Sequence, residues 1–181
     1  MIRVTLPLDE RAVSKLRAGD TVLISGSLLT ARDAAHKRLY DMMKNGEPLP
    51  VCISGATVYY TGPCPKKAGE IIGSAGPTTS ARMNAFAPAL IKKGLKGIIG
   101  KGEMSEAVAA ALKENGAVVF SAIGGAGALY AKRVTSAKAV AFPELKSEAV
   151  YSLTVEDFPA VVAMDAFGGN IYEKRRKAEK K

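Results

Sequence analysis

The chain has 181 residues, enough for one domain with a proper core and at most a short appendage. Hydrophobic residues make up 48% and charged ones 24%, a globular balance, and no apolar run reaches the roughly 18 residues that a bilayer span requires. The formal charge of +9 invites an acidic partner, yet much of it lies in the final "EKRRKAEKK", where no aromatic residue interleaves, so stacking on nucleobases is not indicated.

The opening "MIRVTLPLDERAV" lacks the apolar centre of a signal peptide, so a cytoplasmic protein with reduced Cys52 and Cys64 is expected. Neither cysteine stands in a zinc-like spacing. "RVTLPL" reads as a strand, "DERAVSKLRAGD" as a short helix ended by Gly19, and "TVLISGSLL" as a second strand. A helix is predicted from about Ala31 to Lys44, with Thr30 as its N-cap, Asp33 at the capping-box position and "NG" at 45–46 as its stop. Ala35, Leu39 and Met42 line its expected buried side. "VCIS" and "TVYYTG" are strand candidates, followed by the loop "GPCPKKAGEIIGSAGP". A helix starting near Thr78 meets Pro88, which should bend or split it. "GIIG" makes a short buried strand with Lys101 just past its end, and "SEAVAAALKENG" a helix capped by Ser105 and stopped by Gly116. "AVVFSAI" is a buried strand entering the glycine cluster "GGAGA". "AKAVAF", "YSLTVEDF" and "AVVAMDAFGGNIYE" complete the β structure. The pattern describes one α/β domain with a mixed sheet over residues 1–173, then a basic tail, 174–181.

Two helix starts carry a cation where the helix dipole disfavours one. Arg32 stands at the second helical position if Thr30 is the cap, so either a small penalty is tolerated or an anion lies nearby. His36, the only histidine, follows four residues later on the same face, and such a pair can hold a carboxylate and move a proton. A surface Arg beside a hydrogen-bonded, partly buried His fits the same residues. In "GPTTSARM" the backbone N–H groups of a helix start, the hydroxyls of Thr78, Thr79 and Ser80, and the fork of Arg82 offer donors to an anion. Ordinary threonine capping with a solvent-facing Arg is the alternative. Lys101 follows a buried strand at the sheet edge where α/β ligands gather, although a solvated turn lysine would look alike. "GGAGALY" fails the dinucleotide fingerprint, because Tyr130 occupies the third glycine position, and tight backbone packing at a site wall fits it better.

Taken together, "SGSLLTARDAAHKRL", "YYTGPCP", "GSAGPTTSARM", "IIGKGE", "FSAIGGAGALYAKRV" and "DAFGGNIYE" resemble the β subunit of two-subunit class I fumarate hydratases and L-tartrate dehydratases. They equally resemble the C-terminal domain of the single-chain members. The resemblance implies a swivelling β/β/α-type fold and reversible addition of water across the double bond of a dicarboxylate. It also implies a [4Fe–4S] cluster with three cysteine ligands, which two scattered cysteines cannot supply, so the cluster is expected in a partner α subunit. Carried over by motif, Arg32, Thr78, Arg82 and Lys101 are expected to bind substrate, with Thr78 and His36 as candidates for proton transfer. Fumarate and tartrate are not separated by any residue here, and a non-catalytic carboxylate-binding module remains an alternative. An αβ dimer of dimers and a β homodimer are both left open as assemblies.

Overall fold

The structure, a computed structural model, describes residues 1–173; the expected basic tail lies outside the described residues. Five strands run parallel and adjacent: β1 (Ile2–Thr5), β2 (Thr21–Thr30), β3 (Thr57–Tyr59), β4 (Gly97–Gly100) and β5 (Val118–Ser121). Beyond β5 come the 15-residue β7 (Val150–Met164) and then β6 (Val134–Ala141), both antiparallel to their neighbours. β7 also pairs along its other edge with β2, from Thr21↔Val161 to Leu29↔Ser152. That extra ladder closes β2, β3, β4, β5 and β7 into a ring, so the mixed α/β sheet of the single domain is barrel-like.

Side-chain alternation divides the ring strands between two cores. Leu28, Tyr59, Ile99, Phe120 and Phe158, one from each ring strand, are buried together. Tyr130 stacks on Phe158 with ring centroids 4.5 Å apart and Tyr59 meets the same ring edge-on. Residues of the opposite parity, Val58, Ile98 and Val119, pack instead against α2 (Asp33–Lys44), α3 (Ala87–Lys92) and α4 (Glu106–Asn115) through Ala35, Leu90, Ile91, Val108 and Leu112. Two short helices, α1 (Glu10–Val13) and α5 (Gly127–Ala131), give Val13 and Tyr130 to the first core.

Several expectations from the sequence need correcting. "VCIS" forms no strand, and only Thr57–Tyr59 of the second candidate does. The two final β segments are one strand: Pro159 does not interrupt β7, because residues 156–160 lie between the stretches paired to β6 and β5. A bulge there places Asp157 at φ 48, where Arg3 pairs with its carboxylate at 2.7 Å. The predicted helix from Thr78 is split into a 3₁₀ turn (Ser80–Met83) and α3, with Pro88 tolerated in the first turn of α3. In α2 the buried residues are Ala35, His36 and Leu39, while Met42 is half-buried.

The "DAFGG" stretch after β7 closes the domain at the end of the ring opposite Thr30. Asp165 accepts from the backbone N–H groups of Phe167, Gly169 and Ala18 at 2.8 Å each. Burial pushes its carboxyl up, but those three donors and Arg17 prevail and hold it below its ordinary value. This motif ties the end of β7 to the turn before β2.

Candidate functional site

The parallel strands share a register that fixes the site edge. Thr30 is level with Tyr59, Tyr59 with Ile99 and Ile99 with Phe120, so Arg32, Thr61 and Lys101 each lie two residues beyond the same row. Chains leaving the carboxyl ends of adjacent parallel strands diverge, which is why ligands collect there. The divergence between β3 and β4 is filled by the "PTTS" segment. Thr78 N–H donates to the Tyr60 carbonyl at 2.7 Å, Lys101 N–H donates to the Thr78 carbonyl at 3.1 Å, and Ser80 N–H donates to the Lys101 carbonyl at 2.8 Å. Thr78 and Thr79 are thus held extended as a wedge, with Thr79 bridged to Lys101. The helix start expected at Thr78 does not exist there. The 3₁₀ turn begins at Ser80, spans four residues, and Thr79 makes no capping bond with its side chain. Thr78 is therefore positioned by strand-like pairing and not by a helix terminus.

Arg32 reaches the same edge by a different route from the one the sequence suggests. Thr30 is not the N-cap of α2; it ends β2, wholly buried, and its hydroxyl accepts from Tyr151 N–H at 3.0 Å and lies 3.4 Å from the Ala149 carbonyl. Arg32 itself occupies the N-cap position, extended at φ −121, without a side-chain cap. The capping acceptor comes from far along the chain: Glu148 Oε2 accepts from Ala34 N–H at 2.9 Å. A second carboxylate, Asp33, stands in the first helical turn. Arg32 lies between them, with Nη2 3.8 Å from Glu148 Oε1 and Nε 3.9 Å from Asp33 Oδ2. The anions that make a cation tolerable at this helix start are resident in the chain. Gly62 makes room for this side chain, since a Cβ there would stand 2.8 Å from Arg32 Cδ.

Asp33 also holds Arg82, whose Nε donates to Oδ1 at 2.9 Å across 49 residues of sequence. One carboxylate thus joins the two guanidiniums, one on each oxygen. Lys101 completes the edge. Its backbone belongs to the wedge, its side chain is exposed, and its Cδ lies over Gly124, where a Cβ would come within 2.9 Å. Gly127 meets the Gly76 backbone just as closely, at 2.8 Å from a notional Cβ, so the glycine cluster is a packing wall behind the wedge. Arg32, Thr78, Arg82 and Lys101 are therefore brought to one edge. Arg82 and Lys101 are exposed, Arg32 and Thr78 partly so, and the edge is an open face. Clefts of about 510 and 590 Å³ lie along Cys64–Gly73 and contain none of these four residues.

His36 stands apart from that face. Its ring is 0% exposed, packed edge-on to Tyr60 at 4.9 Å and beside Phe86. Nδ1 lies 2.9 Å from the Arg32 carbonyl; a carbonyl can only accept, so Nδ1 carries the proton and Nε2 the lone pair. Burial lowers the imidazole from 6.5 to about 4, against the opposing pull of that carbonyl and of Asp33, and the ring is neutral near pH 7. The expected pair of Arg32 and His36 side chains facing one ligand is not what the helix presents. Arg32 precedes the first turn and faces the edge, whereas His36 faces the core. Asp33 and Glu148 are the polar residues that sequence reasoning missed. Asp33 was visible only as a capping residue, and nothing local marks Glu148, which acts across 114 residues of chain.

Cys52 and Cys64 are both free and exposed, and no group of three or more His, Cys, Asp and Glu that could hold a metal occurs among the described residues. A cluster bound by three thiolates does not fit the residues of this chain. No helix among the described residues is long and apolar enough to cross a membrane.

Residues 1–175 match the family model described as Fumarase C-terminus. The chain is 40% identical over 176 residues to a putative L(+)-tartrate dehydratase subunit beta of Methanocaldococcus jannaschii, covering 94% of this chain and 90% of that protein. It is 38% identical over 172 residues to fumarate hydratase 2 of Leishmania major, covering 93% of this chain but 30% of that protein. It is 37% identical over 178 residues to the aerobic class I fumarate hydratase of Escherichia coli, covering 95% of this chain and 32% of that protein. The chain thus spans about a third of the length of these fumarate hydratases.

Proposed function

This chain belongs to the Fumarase C-terminus family, and from that premise we propose that it is the β subunit of a two-subunit hydro-lyase. The reaction is the reversible hydration of fumarate to malate, with L-tartrate dehydration as the alternative within the same chemistry. The observation that supports the reading is that Arg32, Arg82, Lys101 and Thr78 lie along one sheet edge, with Asp33 joining the two guanidiniums. Coverage of nine-tenths of a protein named as a β subunit supports a separate α polypeptide, which holds the [4Fe–4S] cluster that this chain's residues do not fit.

The residues act as follows. A C4 diacid has a carboxylate at each end, and this chain supplies the clamp for one end. Arg82 is held by Asp33 through Nε, which leaves its Nη fork for a bidentate contact with that carboxylate. Lys101 adds a point charge beside the wedge. Removing the proton next to a carboxylate builds enolate-like negative charge, and fixed cations lower the barrier to forming it. Thr78, its backbone fixed by hydrogen bonds to Tyr60 and Lys101, is assigned the proton transfer. His36, neutral and buried, holds the Arg32 carbonyl and so sets where α2 begins.

The test is anaerobic co-production of this chain with its α subunit, followed by assays of fumarate, malate and L-tartrate. Turnover by the complex and none by this chain alone is expected. An intact, cluster-loaded complex that turns over none of the three would overturn the reading.

A further inference from the structure

Two acids stand among the cations of the edge: Glu148 meets Arg32 alone, whereas Asp33 meets both Arg32 and Arg82. Its carboxylate places Oδ1 2.9 Å from Arg82 Nε and Oδ2 3.9 Å from Arg32 Nε, so it stands between two guanidiniums that would otherwise repel. Asp33 is itself anchored, since it lies in the first turn of α2 and the next residue's N–H is held by Glu148. Its Oδ2 and Arg32 Nε are buried and have no hydrogen-bond partner among the described residues, so the gap between them is shielded from solvent.

We propose that Asp33 is a positioning residue that occupies the space between Arg32 and Arg82, so that a substrate carboxylate meets the outward Nη fork of Arg82. This rests on the hydro-lyase reading above. The space between paired guanidiniums is the most attractive place for any carboxylate, since both forks and both charges serve it. A substrate that settled there would be bound well and held away from Thr78. A resident carboxylate removes that unproductive mode and fixes the plane of Arg82 by its Nε. The consequence is a particular division between kinetic constants. Losing the Asp33 charge leaves both guanidiniums uncompensated, so they draw the substrate carboxylate towards themselves, and ground-state binding is kept or tightened while the reacting geometry is lost.

The experiment uses the assembled complex with Asp33→Asn and Asp33→Glu. In Asp33→Asn, kcat for fumarate should fall by about 100-fold, the size of effect a roughly 1 Å misplacement produces, with KM unchanged or lower. Asp33→Glu restores the charge at the wrong reach, so its kcat should lie between the two, again without a rise in KM. If Asp33→Asn does not assemble, the same division in Asp33→Glu decides. A loss seen wholly in KM, or a kcat within about twofold of the parent in both variants, overturns the proposal. A second readout is independent of turnover: in the full chain the Arg82 Nε–H resonance, assigned by its absence in Arg82→Lys, should exchange with solvent more slowly than a free guanidinium. Exchange at the free rate also overturns the proposal. A parent complex without turnover sinks the enzyme reading and the positioning role together, whereas an active parent with an unaffected Asp33→Asn sinks the positioning role alone.

Discussion

A guanidinium at a helix start is an electrostatic question, and Arg32 shows that the chain can answer it internally. Asp33 and Glu148 lie within 4 Å of Arg32, so its position demands no external anion. The stronger argument for a ligand comes from Arg82 and Lys101, whose side chains are exposed along that edge, Arg82 beside Asp33 and Lys101 over Gly124. Arg82→Ala in the assembled enzyme should lower kcat/KM by roughly 3 kcal/mol, the scale of losing a charge-assisted contact made in the transition state. Its unfolding free energy should change by no more than about 0.5 kcal/mol, because the side chain is half-exposed and outside the core. Steady-state kinetics with a urea titration separates the two, and unchanged turnover removes Arg82 from the site. His36 makes a prediction of the opposite kind, about stability. Its folded value, about 4, lies below the ordinary 6.5, so the unfolded chain binds a proton that the folded chain refuses between those limits. The stability it lends is present above pH 6.5 and lost on acidification through that window, by roughly 3 kcal/mol. Urea midpoints at pH 7 and pH 4.5 should show a steeper loss in the parent than in His36→Gln. Parallel losses would mean that another group carries the acid sensitivity.

At the level of elements, the site depends on a wedge that no local pattern announces. "GPTTS" has the residues of a capped helix start, and propensity alone favours that reading. The neighbours decide otherwise, because the open N–H and C=O groups of Tyr60 and Lys101 at the ends of β3 and β4 bind the segment as strand. The wedge is also packed from below, since Ser80 lies against Gly100 where a Cβ would overlap its hydroxyl. Gly100→Ala should therefore displace the wedge, cost about 1–3 kcal/mol, and reduce turnover far more than Ser136→Ala, an exposed change on β6. Equal turnover in the two variants would show that the wedge tolerates displacement. The start of α2 follows the same logic. Thr30 has the best local chemistry for a cap, yet it completes β2 and ties Tyr151 of β7, leaving Glu148 to cap the helix from the other end of the chain.

For the whole molecule, the alternation of strands and helices was legible for most elements, because period-two and period-3.6 apolar patterns and glycine stops are local. The sequence by itself determined the α/β class, most elements, and which cations and hydroxyls to watch: Arg32, Thr78, Arg82 and Lys101. Helix-start chemistry and a strand-end position draw attention to Arg32, Arg82, Lys101 and the hydroxyls of residues 78–80, and the family resemblance singles out Thr78 among them. Only the tertiary structure decided that β7 is one strand closing a ring, that His36 faces the core, and that Asp33 joins two arginines. Those facts depend on ladders such as β2–β7 and on ion pairs spanning 49 and 116 residues. Long-range pairing is set by which faces and edges meet when the ring closes, and that is information no window of sequence contains.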